Sequence, residues 1–253
     1  MKFASLGSGS SGNATVVATA STCVLLDCGF SLKETVSRLA RLDLCLEDLD
    51  AVLCTHEHSD HAKGVAPLAR KSGIPLFMTQ GTWLARDYGE VPDLQLIKNY
   101  EAFALGDLHI QPVAVPHDAR EPAQFVFSEG SKRLGVLTDL GCVTPHIIAA
   151  YAECDALLLE ANHDLDMLWE GPYPPSLKSR VASDWGHLNN QQALQLLESL
   201  ISPRLQTVVL GHISQKNNHL DRVRAAVDGA GLVGAEHRMH YACQDEGFAW
   251  LEL

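Results

Sequence analysis

Eight consecutive residues, Cys54-Thr55-His56-Glu57-His58-Ser59-Asp60-His61, carry the densest chemistry in the chain. Three imidazoles and a carboxylate within six positions are costly to bury unless a cation uses them. The stretch follows the apolar run Ala51-Val52-Leu53 and precedes a helical pattern from Lys63 to Lys71, which predicts a strand-to-helix turn. In extended backbone His56 and His58 leave on the same side. The alternative is a solvated turn with clustered histidines; the spacing favours a metal site.

One loop cannot fill a coordination sphere, so other segments must return to it. Three polar residues each end an apolar run: His117 after Val113–Pro116, Asp139 after Leu134–Thr138, and His212 after Thr207–Gly211. Placement at strand ends is how distant residues reach one site along a sheet edge.

HxHxDH followed by a His, an Asp and a His at strand ends resembles the metallo-β-lactamase superfamily. The resemblance implies a four-layer αββα sandwich and two divalent metal ions. One ion would take His56, His58 and His117; the other would take Asp60, His61 and His212; Asp139 would bridge them. An Asp at the bridging position resembles the phosphodiesterase and glyoxalase branches, not the antibiotic-destroying lactamases. All seven ligands are N or O donors, which suits Zn²⁺ and also admits Mn²⁺ or Fe²⁺.

The elements that must position these residues are legible in outline. Strands are expected at Lys2–Leu6, Ala14–Ala20, Cys23–Asp27, Ile74–Met78, Leu94–Ile97, His109–Val115, Gln124–Phe127, Arg133–Leu137 and Leu157–Leu159. Ser31-Leu32-Lys33-Glu34 reads as a capping box opening a helix with Leu32, Val36 and Leu39 on one face. A further helix is expected near Thr82–Tyr88. Trp169 to Pro175 is too proline-rich for regular structure. Further helices open at Asp184–Asn190, through Leu200, and at Gln215–His219, to about Asp228; Arg238–Cys243 and Phe248–Leu251 read as a closing hairpin. With no repeat or interdomain linker, residues 1–253 are expected to form one domain. The order of elements suggests two face-to-face sheets with helices outside, which periodicity alone does not distinguish from other α/β layers. The loop Gly7–Asn13 lacks the following helix and Lys of a P-loop. It is either a flexible connection or a loop lining the site mouth.

Length and composition set outer bounds. The chain has 253 residues, 46% hydrophobic and 20% charged, enough for a substantial core and too apolar for disorder. Seven scattered cysteines without a CxxC pair suggest reduced thiols in a cytosolic setting, with Cys54 a core residue. No signal-peptide-like start or membrane-length apolar run is seen, so a cytoplasmic protein without membrane contact is expected. A net charge of −12 argues against a broad basic face for nucleic acid. Two divalent ions would add local positive charge that still attracts phosphate.

Outside the ligand set, Glu160 ends a buried strand and His187 opens a later helix. A protonated imidazole held by a carboxylate suits a general acid for a phosphoester leaving group. The pairing resembles the tRNA 3′-processing branch; a purely structural Glu–His hydrogen bond is the alternative. Asp60, which doubles as a ligand, Glu160 and His187 form the candidate catalytic set. His163, with Asp164, is a candidate to hydrogen-bond a ligand imidazole. Lys178 and Arg180, on the loop after the prolines, could clamp a phosphate oxygen. His109, His146, His219, His237 and His240 read as structural or surface residues.

LGSGSSGN, THEHSDH, VPHDAREP, LTDLG, LLLEANHD, GPYPPSLKSRV, GHLNN and GHISQKNN together resemble the YycJ/WalJ group of bacterial metallo-hydrolases, from Leu6 to about Asp221. That resemblance implies 5′-to-3′ exonuclease activity on double-stranded DNA, with a hydroxide between the metals attacking phosphorus. Asn189 departs from the Ser expected there. No insertion resembles a tRNA-gripping arm or a β-CASP domain. Two other readings stay open: a hydrolase of small substrates, such as a cyclic phosphodiester or a thioester, and a non-catalytic metal-binding regulatory module.

Overall fold

The computed structural model describes residues 1–232 and 238–253. The first half of the chain lays down one sheet. β1 (Lys2–Gly7), β2 (Ala14–Ala18) and β3 (Cys23–Leu26) run antiparallel, and after α1 (Leu32–Leu39) the chain adds β4 (Ala51–Leu53) in parallel. Then α2 (Ser59–Ala62), α3 (Val65–Ser72), β5 (Leu76–Thr79), α4 (Gln80–Ala85) and β6 (Leu94–Ile97) extend that parallel half. The second half mirrors it. β7 (Phe103–Leu105), β8 (Leu108–Ala114), β9 (Ala123–Glu129) and β10 (Lys132–Leu137) form an antiparallel meander. After α5 (Pro145–Tyr151), β11 (Ala156–Glu160) pairs with β10 in parallel. α6 (Leu165–Glu170), α7 (Pro175–Val181) and α8 (Asn190–Leu200) precede β12 (Thr207–Gly211); α9 (Leu220–Ala230) precedes β13 (Met239–Tyr241), also parallel. β14 (Phe248–Glu252) returns to pair with β1. Among the described residues each sheet has seven strands.

Side-chain alternation makes the layers. In β11, Leu158 faces inward with Phe3, Leu26 and Leu53 of the first sheet, Phe125 and Val136. Its neighbours Leu157 and Leu159 face outward, onto Ile147, Leu196, Leu197 and Val223 of α5, α8 and α9. Leu25 and Val52 likewise turn outward onto Leu39, Val65 and Leu68. Period-two alternation with both faces covered explains why the parallel strands read as unbroken apolar runs. The result is the expected αββα sandwich.

Several local expectations are corrected. The closing hairpin is absent: β13 and β14 lie in different sheets, each satisfied by an existing edge. The capping box before α1 is half formed, because Ser31 accepts from the Glu34 amide while the Glu34 carboxylate turns to Arg38. α1 buries Thr35 and Leu39, and Val36 is exposed. Helix begins inside the histidine motif at Ser59, not at Lys63. Trp169 and Glu170 end α6, and Pro175 starts α7 at a position where a missing N–H costs nothing. α9 starts at Leu220, the polar stretch before it remaining loop. β7 and α5 are additions to the expected elements, α5 opening on a Thr144 cap with Pro145 in its first turn.

Candidate metal centre

The parallel strands deliver the site. Leu137 pairs with Leu159 and Glu160 with Gly211, so Asp139, Glu160 and His212 leave neighbouring strands at one edge. β4 delivers the histidine motif and β8 delivers His117. Two compact groups result, His56–His58–His117 and Asp60–His61–His212, with ligand-capable atoms in each lying within 4.8 Å of one another. Asp139 sits between them, its carboxylate 3.2 Å from His61 Nε2 and 3.8 Å from His117 Nε2.

Outer hydrogen bonds orient the imidazoles. The Nδ1 atoms of His56, His61, His117 and His212 face Thr55 Oγ1 at 2.9 Å, Asp27 Oδ2 at 2.8 Å, Gly186 O at 2.9 Å and Thr138 O at 2.5 Å. Each ring therefore offers Nε2 inward, the arrangement that fixes tautomer and raises ligand basicity. His58 presents Nδ1, 3.3 Å from His117 Nε2. Asn13 Nδ2 lies 3.1 Å from His61 Nε2 and Ser8 Oγ accepts from the His212 amide at 2.8 Å, so the Gly7–Asn13 loop lines the site.

The backbone is bent to suit. Asp27 and His212 both occupy left-handed conformations, φ 61° and 50°. Such conformations persist when surrounding structure over-determines them, and they cluster at functional sites. A Cβ at Gly29 would lie 1.8 Å from Asp60 O, so only glycine lets these two loops touch.

Electrostatics test whether these residues suit a cation. His56 Nε2 and Asp139 Oδ2 are buried with no hydrogen-bond partner. Burial, then the neighbouring His61, hold the His56 imidazolium well below its ordinary range. Burial also disfavours charge on His61, yet Asp139, Asp60 and Asp27 hold its pKa well above normal. Against burial, His212 and His61 keep Asp139 ionised far below the usual carboxylate range. Orphaned donors packed around an ionised, buried carboxylate fit a divalent metal of N/O preference.

Glu160 and His187 do meet: His187 Nδ1 lies 3.0 Å from Glu160 Oε2, and Glu160 Oε1 accepts from the Leu140 and Leu188 amides at 2.6 and 3.3 Å. Burial, then Asp139, raise the Glu160 carboxyl well above its usual range. Burial lowers His187 to about 4. Both shifts favour a pair that is neutral overall and carries one proton. His187 lies two residues before Asn189, the N-cap of α8, with Gln192 completing the capping box. Asn caps as well as Ser, so the Asn189 departure leaves this local geometry intact.

Other expected residues separate. Arg180 lines a cavity of about 190 Å³ with His58, Asp60, Asp118, Asp139 and His187, whereas Lys178 donates to Trp169 O at 2.6 Å. They sit on helix α7, not a loop, and residues two apart on a helix do not share a face. His163 does not hydrogen-bond a ligand imidazole: both its ring nitrogens are buried and unpartnered, and Asp164 caps α6 instead. Cys54 is buried as expected. His146 packs on Tyr100 and His219 caps α9, while His237 lies outside the described residues.

Sequence reasoning missed Asp27 and Asp118. Asp27 follows the apolar run of β3, the same signal that marked Asp139, but it was absorbed into the strand. Asp118 follows His117 directly; its carboxylate lies 3.5 Å from His117 Nε2 and is bonded to Arg180 Nε.

An αββα sandwich with a His/Asp cluster at one sheet edge defines a divalent-metal hydrolase fold. The β-lactamase superfamily domain model matches residues 22–213, and the chain belongs to that superfamily. It is 35% identical to a protein named Exodeoxyribonuclease WalJ from Streptococcus pneumoniae serotype 2, over 100% of this chain and 98% of that one. It is 34% identical to Exodeoxyribonuclease YycJ of Bacillus anthracis, over 90% and 88%. Among solved structures, the metallo-beta-lactamase fold protein YhfI from Bacillus subtilis superposes with TM-score 0.75 at 18% identity, over 100% and 98% of the two chains. No helix among the described residues is long and apolar enough to cross a membrane.

Proposed function

We propose that this chain is a metal-dependent exonuclease that hydrolyses phosphodiester bonds of DNA from the 5′ end. The observation carrying this reading is the convergence of two three-residue ligand groups on Asp139, in a chain similar along nearly its whole length to proteins named exodeoxyribonucleases. His56, His58 and His117 would hold one divalent ion and Asp60, His61 and His212 a second, with Asp139 shared and zinc the best match to the donors.

Bound divalent ions supply an activated water and neutralise charge on the phosphoryl oxygens. The protein's residues do the rest. Asp27, Thr55, Gly186 and Thr138 hold the imidazoles in the tautomers that leave Nε2 free. Water loses a proton to solvent as its oxygen bonds to phosphorus, and the bond to the departing sugar oxygen breaks. The proton held by the Glu160–His187 pair passes from His187 to that oxygen. Arg180, at the cavity wall, takes a non-bridging oxygen.

A second reading, hydrolysis of a small phosphodiester or thioester, draws support from the net charge of −12. Metal analysis of the purified protein, with assays on 5′-end-labelled duplex DNA and bis-p-nitrophenyl phosphate, decides between them. Turnover of the small ester with intact duplex would displace the exonuclease reading.

A further inference from the structure

Arg180 is registered to the metal site by two separate ties. Its backbone is seated against Gly186, where a Cβ would lie 2.3 Å from Arg180 O and 2.2 Å from Val181 O. The Gly186 carbonyl in turn accepts from His117 Nδ1, and the His187 amide donates to Val181 O at 2.9 Å. The second tie is the side chain: Arg180 Nε donates to Asp118 Oδ2, and Asp118 is the residue next to His117. α7 itself buries no side chain and has no side-chain N-cap; these ties, together with the Lys178 bond to Trp169 O, hold it in place.

The guanidinium is only partly used. Nε is taken by Asp118, and neither terminal nitrogen has a hydrogen-bond partner among the described residues. The side chain remains 57% exposed while lining the same cavity as Asp60, Asp139 and His187. A planar fork anchored through Nε presents its two Nη groups as a pair, which matches two oxygens of a phosphate. At about 190 Å³ the cavity is smaller than ordinary ligand pockets, so it suits a single phosphate group and not a whole nucleotide.

We propose that Asp118 is a positioning residue: by holding Nε of Arg180 it presents the two terminal nitrogens to two non-bridging oxygens of the phosphate at the metal site. This rests on the phosphodiesterase reading for its biological substrate, but its test does not need DNA turnover. Asp118 acts through Arg180, so removing either should cost the same interaction, and removing both should cost no more.

The experiment is calorimetric titration of inorganic phosphate into zinc-loaded wild type, Asp118→Ala, Asp118→Asn, Arg180→Ala, Arg180→Lys and the double alanine variant, with zinc content measured for each. Asp118→Ala and Arg180→Ala should each weaken phosphate binding by about tenfold or more, the scale of a lost charged hydrogen bond. The double variant should match Arg180→Ala within error, the signature of a coupled pair. Asp118→Asn, which keeps an acceptor for Nε, should restore part of the loss. Arg180→Lys should not, because an ammonium cannot hold Asp118 and present a fork at once. With substrate, KM should rise in both single variants with kcat less affected. Unchanged phosphate affinity, additive losses, or loss of zinc in Asp118→Ala would each overturn the proposal, the last by making Asp118 a metal ligand. If the phosphate pattern holds but wild type leaves duplex DNA intact, the exonuclease reading falls and the positioning role stands.

Discussion

Asp27 Oδ2 lies 2.8 Å from His61 Nδ1 across 34 positions of sequence, while Asp27 Oδ1 accepts from the Thr55 amide at 2.8 Å. One buried carboxylate thus sets the tautomer of His61 and the entry of the chain into the histidine motif. Asp27→Asn keeps the shape and removes the charge. Metal affinity should fall by about 10- to 100-fold, the usual cost of losing such a partner, measured by competition with a chromophoric chelator. An unchanged affinity would relegate Asp27 to loop geometry.

Asp139 approaches members of both ligand groups. Wild type should hold two divalent ions per chain, and Asp139→Ala should lower the metal content of both positions, read by elemental analysis after dialysis. Two ions retained in this variant would remove Asp139 from the shared position.

His187 should matter according to the leaving group. A departing sugar oxygen is strongly basic, whereas p-nitrophenolate delocalises its charge and needs little protonation. His187→Ala should slow DNA cleavage by about 10²–10⁴-fold and spare p-nitrophenyl esters, with metal content intact. Glu160→Gln should show the same selectivity more weakly. His58→Ala should harm both substrates alike. Equal losses for His187→Ala on both would make it a structural or substrate-binding residue.

His163 offers a pH signature of folding. Burial lowers its pKa to about 4, with nearby His187 acting in the same direction. As pH falls below about 6.5 the unfolded chain protonates this imidazole while the folded chain resists until near 4. The native state thus loses stability across that window, on the order of 3 kcal/mol in total. His163→Leu should flatten the difference in denaturant stability between pH 7 and pH 4. A slope identical to wild type would mean the buried ring protonates in place.

With a net charge of −12, DNA contact should be local. The dependence of binding on salt should correspond to about three neutralised phosphates or fewer. A slope near that of eight phosphates would expose a basic track that the composition conceals.

The sequence by itself determined which residues could serve as ligands and which strands carry them. His56, His58, Asp60 and His61 are local in sequence, and each remaining candidate ligand follows an apolar run whose alternation is set by the strand's period of two. A sheet edge can gather such residues, so a candidate cluster was legible; periodicity left the layers open among α/β arrangements, and the family resemblance pointed to the αββα sandwich. Glu160 and His187 could be singled out by their strand and helix boundaries, and the structure places them 3.0 Å apart. Tertiary structure decided what has no local signal. Whether β14 closes a hairpin or crosses to the other sheet depends on which edge has unpaired backbone groups, and β1 supplies that edge. Lys178 and Arg180 look equivalent as text, yet helical geometry aims one at Trp169 and the other at the site. Asp27 and Asp118 look like ordinary turn residues until folding places an imidazole and a guanidinium beside them. A carboxylate's role comes from its partner, and these partners, 34 and 62 positions away, were fixed by packing.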